Sequence, residues 1–270
     1  MPKKVRLDTL LVERGLIETR EKAKRSIMAG LVFSENMKMD KPGVKVDEEI
    51  PLHIKGKAIP YVSRGGLKLE KAIKTFDLSL EGKILIDIGS STGGFTDCAF
   101  QNGAIQSYAI DVGYNQLAWK LRNDERVTVM ERTNFRYVTP EDLTEGTPNV
   151  ATIDVSFISL KLILPVLATL LEEGGDVVAL IKPQFEAGRE QVGKKGIVRD
   201  AKVHRHVLED ILQFAVEKGF SVEEVTYSPI TGGDGNIEFL AHLRKSGKEG
   251  ILNPDVEMER IVKEAHEAHS

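Results

Sequence analysis

Three charged residues stand at the ends of hydrophobic runs, the places at which a side chain leaves a core and can meet a ligand, and a fourth lies on the inward row of a helix. Asp154 follows "VATI" and Lys182 follows "VVALI", each at the carboxyl end of a strand-like segment. Glu238 precedes "FLAHLR" and, by alternation along a strand, points opposite to Ile237 and Phe239. Lys68 lies in "SRGGLKLEKAIKTF" on one helical row with Ala72 and Phe76, so it is expected to face inward. One such lysine is more often a snorkelling side chain. Four charges converging on one edge are not a solvated surface, and two amines beside two carboxylates are equipped to orient, hold or move a proton.

A second constellation is "DIGSSTGGF" (Asp87 to Phe95), directly after the apolar run "KILI". Strand, glycine loop and helix start outline a nucleotide-binding turn, in which bare backbone approaches a ligand and the helix offers unpaired N–H groups. The dinucleotide fingerprint G-x-G-x-x-G fails at its second glycine, which is Ser91 here, where a side chain would crowd a pyrophosphate. A ligand without a pyrophosphate is favoured. Asp111 follows the next strand, 22 residues after Gly89, and can accept hydrogen bonds from ribose hydroxyls; its alternative role is helix N-cap for "YNQLAW". Asn134 is placed to meet an adenine edge or to form a turn.

The elements that must position these groups alternate. "KILIDIG", "SYAIDVG", "VTVME", "NVATIDVSF" and "DVVALIKP" are strand candidates separated by helical segments, which implies a parallel, doubly wound α/β sheet. "VEEVTYSPI" and "NIEFLAHLR" have only the turn-rich "TGGDG" between them, so they should pair as a hairpin with the seventh strand antiparallel. The pattern resembles the Rossmann-like S-adenosylmethionine-dependent methyltransferase fold. In such sheets ligands sit beyond the carboxyl ends of the strands, where the charged residues fall.

Residues 1–60 read as a separate small α+β domain. "RLDTLLVERGL" and "TREKAKRSIMAG" are short helices, the second opened by Thr19 as N-cap, and "LVFSEN" and "EIPLHI", with "KPGVKV" between them, suggest one small sheet. Ala23 and Ile27 share one face of the second helix while Arg20 and Lys24 share another, with Lys22 and Arg25 nearby. The segment holds 13 Lys/Arg against 9 Asp/Glu although the whole chain has a net charge of −4. The order R-L-D, Gly15, T-R-x-x-A-x-x-x-I-x-x-G-x-V is similar to the RNA-binding domain of the ribosomal-protein-S-four type, which implies structured RNA as a partner. Arg6, Arg20, Lys22, Lys24, Arg25 and Arg64 are the candidate RNA contacts.

The ordered set Lys68, Asp154, Lys182, Glu238 resembles the K-D-K-E tetrad of FtsJ-like RNA 2′-O-methyltransferases. With "SRGGLKL", "DIGSSTGGFTD", "DVGYNQLAW", "DVSFISL" and "IKPQFE", the sequence resembles the TlyA family of hemolysin-like rRNA 2′-O-methyltransferases. The resemblance implies S-adenosyl-L-methionine as cofactor, ribosomal RNA or ribosomal subunits as partner, and a ribosomal cytidine as target. It also implies cofactor contacts at Asp87, Gly89, Ser91, Gly93, Gly94, Phe95, Asp111, Val112, Asn134 and Asp154. A ribose 2′-hydroxyl is a poor nucleophile that must lose its proton as it attacks, and Lys182 is the candidate base. A nearby Lys68 ammonium and partial burial would favour its neutral amine, whereas Asp154 and Glu238 would oppose that, orient the lysines and complement a sulfonium. No metal is needed for that chemistry.

The expected layout is the RNA-binding domain at 1–60, the methyltransferase domain at 61–245 and a charged tail at 246–270. Composition is ordinary for a globular chain of 270 residues, 41% hydrophobic and 29% charged. The longest apolar run, Leu162 to Leu171, is too short to span a bilayer and the N-terminus lacks a signal-peptide core, so a cytoplasmic protein is expected. The single cysteine, Cys98, reads as packing. Residues 186–200 read either as a mobile substrate loop or as a disordered connection. The tail suggests a helix with Asn253 as cap and Pro254 first, with His266 and His269 solvated. Two rival functions are a non-catalytic ribosome-assembly factor and a hemolysin; the second would need a membrane-inserting segment, which the sequence lacks.

Overall fold

Local chemistry explains the first elements of the computed structural model, which describes residues 3–56 and 59–270. Thr19 accepts a hydrogen bond from Lys22 N and opens helix α2 (Arg20–Met28). Helix α1 (Leu7–Glu13) precedes it, and their apolar faces meet in a core of Leu7, Leu10, Leu11, Ile17, Ala23, Ile27, Val32 and Val46. The strands around them are β1 (Lys4–Arg6), β2 (Val32–Ser34), β3 (Met37–Lys38), β4 (Lys45–Asp47) and β5 (His53–Ile54). They form two sheets where one was expected. The order β3-β2-β5 is one, and β4, inside "KPGVKV", pairs antiparallel with β1 to make the other. Val46 is the reason: it is the buried alternate position of β4 and fills the same core as α1 and α2. This unit ends at Arg64, and a second unit spans Gly65–Ser270.

In the second unit all seven expected strands form: β6 (Ile84–Ile88), β7 (Gln106–Ile110), β8 (Val127–Met130), β9 (Val150–Ile153), β10 (Asp176–Ile181), β11 (Phe220–Tyr227) and β12 (Phe239–Lys245). They lie in the order β11-β12-β10-β9-β6-β7-β8, with β12 antiparallel to both neighbours. Strands β9 and β10 are buried on alternate faces by Ile153, Val177, Ala179 and Ile181 on one side and Thr152, Val178 and Leu180 on the other. Burial on both faces is what a sheet covered by helices requires.

Helix α3 (Gly66–Thr75) packs against α4 (Gly94–Gln101), and α5 (Trp119–Arg122) lies beside β8. Leucines of α6 (Leu164–Leu170) and α8 (Ala201–Glu217) join the large core, and α8 also packs on α9 (Met258–Ala268). A short helix α7 (Pro183–Glu186) follows Lys182, and two single turns at Arg189–Gln191 and Lys194–Gly196 complete the 186–200 segment. Its far end is tied down: Val198 N donates to Asn236 Oδ1 at 3.0 Å and Asn236 Nδ2 to Gly196 O at 2.9 Å.

The tail differs from expectation in two ways. Helix α9 starts at Met258, because Leu252 first bridges to Val222 and Asn253 Nδ2 donates to Glu223 O, which draws residues 252 and 253 alongside β11. The histidines are not simply solvated. His266 Nε2 lies 2.9 Å from Nδ1 of the buried His204, and His269 Nε2 lies 2.9 Å from Ser228 O.

Candidate active site

The carboxyl ends of β9 and β10, the start of β12 and the first turn of α3 bring the four charged residues together. Lys68 is 7% exposed, on a row with Ala72 and Phe76 that faces the interior. Its ammonium lies 3.2 Å from Asp154 Oδ2 and 3.0 Å from Glu238 Oε2. Lys182, also 7% exposed, places Nζ 2.5 Å from Asp154 Oδ1 and 3.4 Å from Ser156 Oγ. Asp154 thus bridges the two lysines, one on each oxygen. Glu238 is 2% exposed and takes a further bond at Oε1 from Gln184 Nε2 at 3.1 Å.

These contacts sort the charges. Burial by itself would lower the Lys68 pKa, but attraction to Asp154 and Glu238 and their hydrogen bonds outweigh it, so this lysine is held above its ordinary value. Burial likewise works against the Asp154 carboxylate, yet the two lysines hold its pKa below normal. Lys68 is therefore a fixed cation clamped by two carboxylates, while Lys182 contacts one carboxylate and a hydroxyl. Ser156 and Gln184 were not singled out from sequence; both sit two residues beyond a tetrad member, in "DVS" and "KPQ". Phe157 was also missed. It is 90% exposed at φ 63°, with its ring tilted against Phe185, 4.9 Å between centroids.

The glycine loop splits into residues that face the edge and residues that do not. A Cβ on Gly89 would lie 2.3 Å from Asp154 O, so the loop rests directly on the tetrad strand. Gly93 has φ +97°, and a Cβ there would strike Leu121 and Leu117 rather than a ligand, which corrects the reading of a bare approach at that position. Gly94 and Phe95 begin α4 and are buried. Ser91 is exposed, and its N–H donates to Asp111 Oδ2 at 2.7 Å. Asp111 Oδ1 accepts from Gly113 N at 2.7 Å, so it organises its own loop with each oxygen taking one backbone N–H; no helix starts at Tyr114 for it to cap. Val112 is exposed beside it. Asn134 caps a single helical turn by accepting from Arg136 N, the turn-forming alternative.

Asp87 is elsewhere. It is buried inside the sheet, accepting from Thr96 Oγ1 at 2.7 Å and Thr152 Oγ1 at 3.2 Å. It is committed to joining β6, α4 and β9, which is not a ligand-facing role. Burial pushes its pKa up to about 6 from 3.8, against those hydrogen bonds. The folded state then keeps a proton that the unfolded chain has released, so this contribution to stability is full below the unfolded value and lost as pH rises through about 6. A shift of that size corresponds to about 3 kcal/mol. Asp87→Asn should accordingly melt higher than the parent at pH 8, and the gain should disappear by about pH 4. A pH-independent difference between the two melting curves would show that Asp87 does not titrate this way.

In the N-terminal unit, Arg20, Lys24 and Arg64 are exposed and Lys22 and Arg25 half-buried. Lys22 pairs with Glu18, and Arg6 and Arg20 both reach Asp8.

Comparison with known proteins places this geometry. The model of the FtsJ-like methyltransferases matches residues 61–245 and that of the S4 domain residues 5–49. The Bacillus subtilis protein YqxC, provisionally named an rRNA methyltransferase, is 67% identical over 98% of this chain and 95% of its own length. The 16S/23S rRNA (cytidine-2'-O)-methyltransferase TlyA of Mycobacterium tuberculosis is 40% identical over 90% of this chain and 91% of its own. A solved structure from Streptococcus thermophilus, provisionally described as a hemolysin, superposes with TM-score 0.79 at 57% identity, covering 99% of this chain and 97% of that one. No helix among the described residues is long and apolar enough to cross a membrane. Matched over residues 61–245 and 67% identical to the Bacillus subtilis relative over nearly its whole length, the chain belongs to the FtsJ-like methyltransferase family.

Proposed function

We propose that the protein methylates a ribose 2′-hydroxyl of ribosomal RNA, a cytidine being the target, with S-adenosylmethionine as cofactor. The observation that carries this reading is the contact of Lys68, Asp154, Lys182 and Glu238, drawn from four separate segments, at the sheet edge where the glycine loop also ends. The donor set fits such a cofactor, because Asp111 offers carboxylate oxygens suited to ribose hydroxyls. When bound, S-adenosylmethionine supplies an electrophilic methyl group on a positively charged sulfur. Lys182 Nζ, having first released its own ammonium proton to solvent, takes as a neutral amine the proton that the 2′-hydroxyl loses as it becomes an ether. Asp154 aims that amine through its 2.5 Å contact, and Lys68 keeps Asp154 ionised and holds both carboxylates in place. Phe157 and Phe185 offer a ring surface beside Lys182 on which an unstacked base can lie.

The test is methyl transfer to in-vitro-transcribed 16S and 23S rRNA, with 2′-O-methyl sites mapped on each. Calorimetry should show binding of S-adenosylmethionine and none of NAD; heat with NAD alone would overturn the cofactor assignment. RNA recognition by the N-terminal unit is tested in the full chain by Arg20→Glu with Lys24→Glu. The pair should weaken rRNA binding at least tenfold and reduce the salt slope by roughly 1–2, with cofactor affinity unchanged. An unaltered slope would remove this helix from the contact surface.

A further inference from the structure

The first unit contains a fully buried carboxylate gripped by two arginines. Asp8 is 0% exposed and lies in the first turn of α1. Arg6 grips it as a fork, Nε to Oδ1 at 3.0 Å and Nη2 to Oδ2 at 2.9 Å, and Thr9 N adds a bond to Oδ1 at 2.9 Å. One guanidinium suffices to neutralise one carboxylate. Yet Arg20, arriving from α2, places its Nε 3.2 Å from Oδ2 as well. Two guanidinium groups meeting on one carboxylate repel each other and leave a surplus positive charge. Both stay about half in solvent, 43% and 53% exposed, while the carboxylate is hidden beneath them. Arg6 is also pressed against the "KPG" turn, where a Cβ on Gly43 would lie 3.2 Å from Nη1 and Nη2. The Asp8 carboxyl is held down at about 2, first by the Arg6 hydrogen bond, against its burial, and then by Arg20, so it is charged at any working pH.

We infer that Asp8 is a positioning residue for RNA: from beneath the surface it holds Arg6 and Arg20 side by side as a preformed pair of guanidinium forks that receives one backbone phosphate. The inference rests on the proposal that this unit binds rRNA and deepens it. Arginine forks match phosphate geometry, and fixing them before binding removes the entropic cost of ordering two long side chains. Surplus charge and outward N–H groups are what a phosphate would complete.

The test turns on a sign. Asp8→Asn removes a negative charge from an RNA-binding face, so charge alone predicts tighter binding and a steeper salt slope. Positioning predicts the reverse: about tenfold weaker binding to in-vitro-transcribed 16S or 23S rRNA and a slope smaller by about 1, one phosphate contact. Arg20→Lys in the full chain preserves charge and leaves the Asp8–Arg6 fork untouched, and it should lose affinity by a similar factor. This variant carries the test if Asp8→Asn melts below assay temperature. Equal or tighter binding by Arg20→Lys, or by a folded Asp8→Asn, overturns the inference. Lys24→Glu separates the two levels, because Lys24 lies outside the Asp8 cluster. If it fails to weaken binding, the RNA-binding reading of this face falls and the positioning role with it. If it weakens binding while Asp8→Asn does not, only the positioning role falls.

Discussion

Lys182→Ala should lower single-turnover methyl transfer by about 10² to 10⁴, the usual worth of general base catalysis, while leaving cofactor affinity intact. The geometry makes this the most sensitive position. Lys182 Nζ touches one carboxylate oxygen and one hydroxyl, whereas Lys68 is enclosed by two carboxylates. Lys182→Arg separates base from charge. A guanidinium keeps the positive charge beside Asp154 but cannot give up its proton to become an acceptor, so the Arg variant should fail nearly as badly as the Ala variant. Rapid-quench measurement with saturating cofactor and rRNA checks both. Near-parental rates with Arg would show that residue 182 acts through charge, and proton removal would belong to another group or to water.

Removal of Lys68 should produce the largest loss of stability. Asp154 and Glu238 were brought into the protein against Lys68, and without it Asp154 keeps only Lys182 while the buried Glu238 loses its ion-pair partner. Deleting one member of a buried ion pair typically costs about 3–5 kcal/mol. For a unit of this size that corresponds to a fall in Tm on the order of 10 °C for Lys68→Ala. Adding Glu238→Gln to Lys68→Ala removes one stranded charge, so the double variant should melt above the single one. The pH dependence follows from Asp154, whose pKa is held below the ordinary carboxylate range by the lysines. Stability from a depressed carboxylate is present above its unfolded pKa and lost as pH falls through the folded one. The deficit of Lys68→Ala should therefore be full at neutral pH and shrink on acidification. A deficit that stays constant down to about pH 3 would mean that the lysine contributes packing and not charge.

Much of this architecture is written in short-range pattern. Alternation and apolar runs located all seven strands of the large sheet, the absence of a helix between the last two gave the antiparallel β12, and Thr19 marked the start of α2. Lys68 was legible as inward-facing because Ala72 and Phe76 share its row, a relation fixed by helix geometry within a few residues. The convergence of Asp154, Lys182 and Glu238 was legible too, since ligand edges in wound sheets follow from strand direction, whereas Lys68 joined them only through its inward face and the family resemblance.

What only tertiary structure decided are pairings between segments far apart in the chain. That Asp154 is shared, that Lys68 takes two carboxylates and Lys182 one, and that Gln184 braces Glu238 depends on distances across β9, β10, β12 and α3. Asp87 looked like part of the ligand loop, but Thr152 from β9 captures it in the interior. Gly93 looked open to a ligand until Leu117 and Leu121 closed over it. "KPGVKV" became a strand because β1 was free to pair with it, and His266 found a buried partner in His204, 62 residues away. Periodicity registers which face of an element is apolar. The partner a charged or polar side chain meets on that face is set by how elements pack, and no local spacing encodes it.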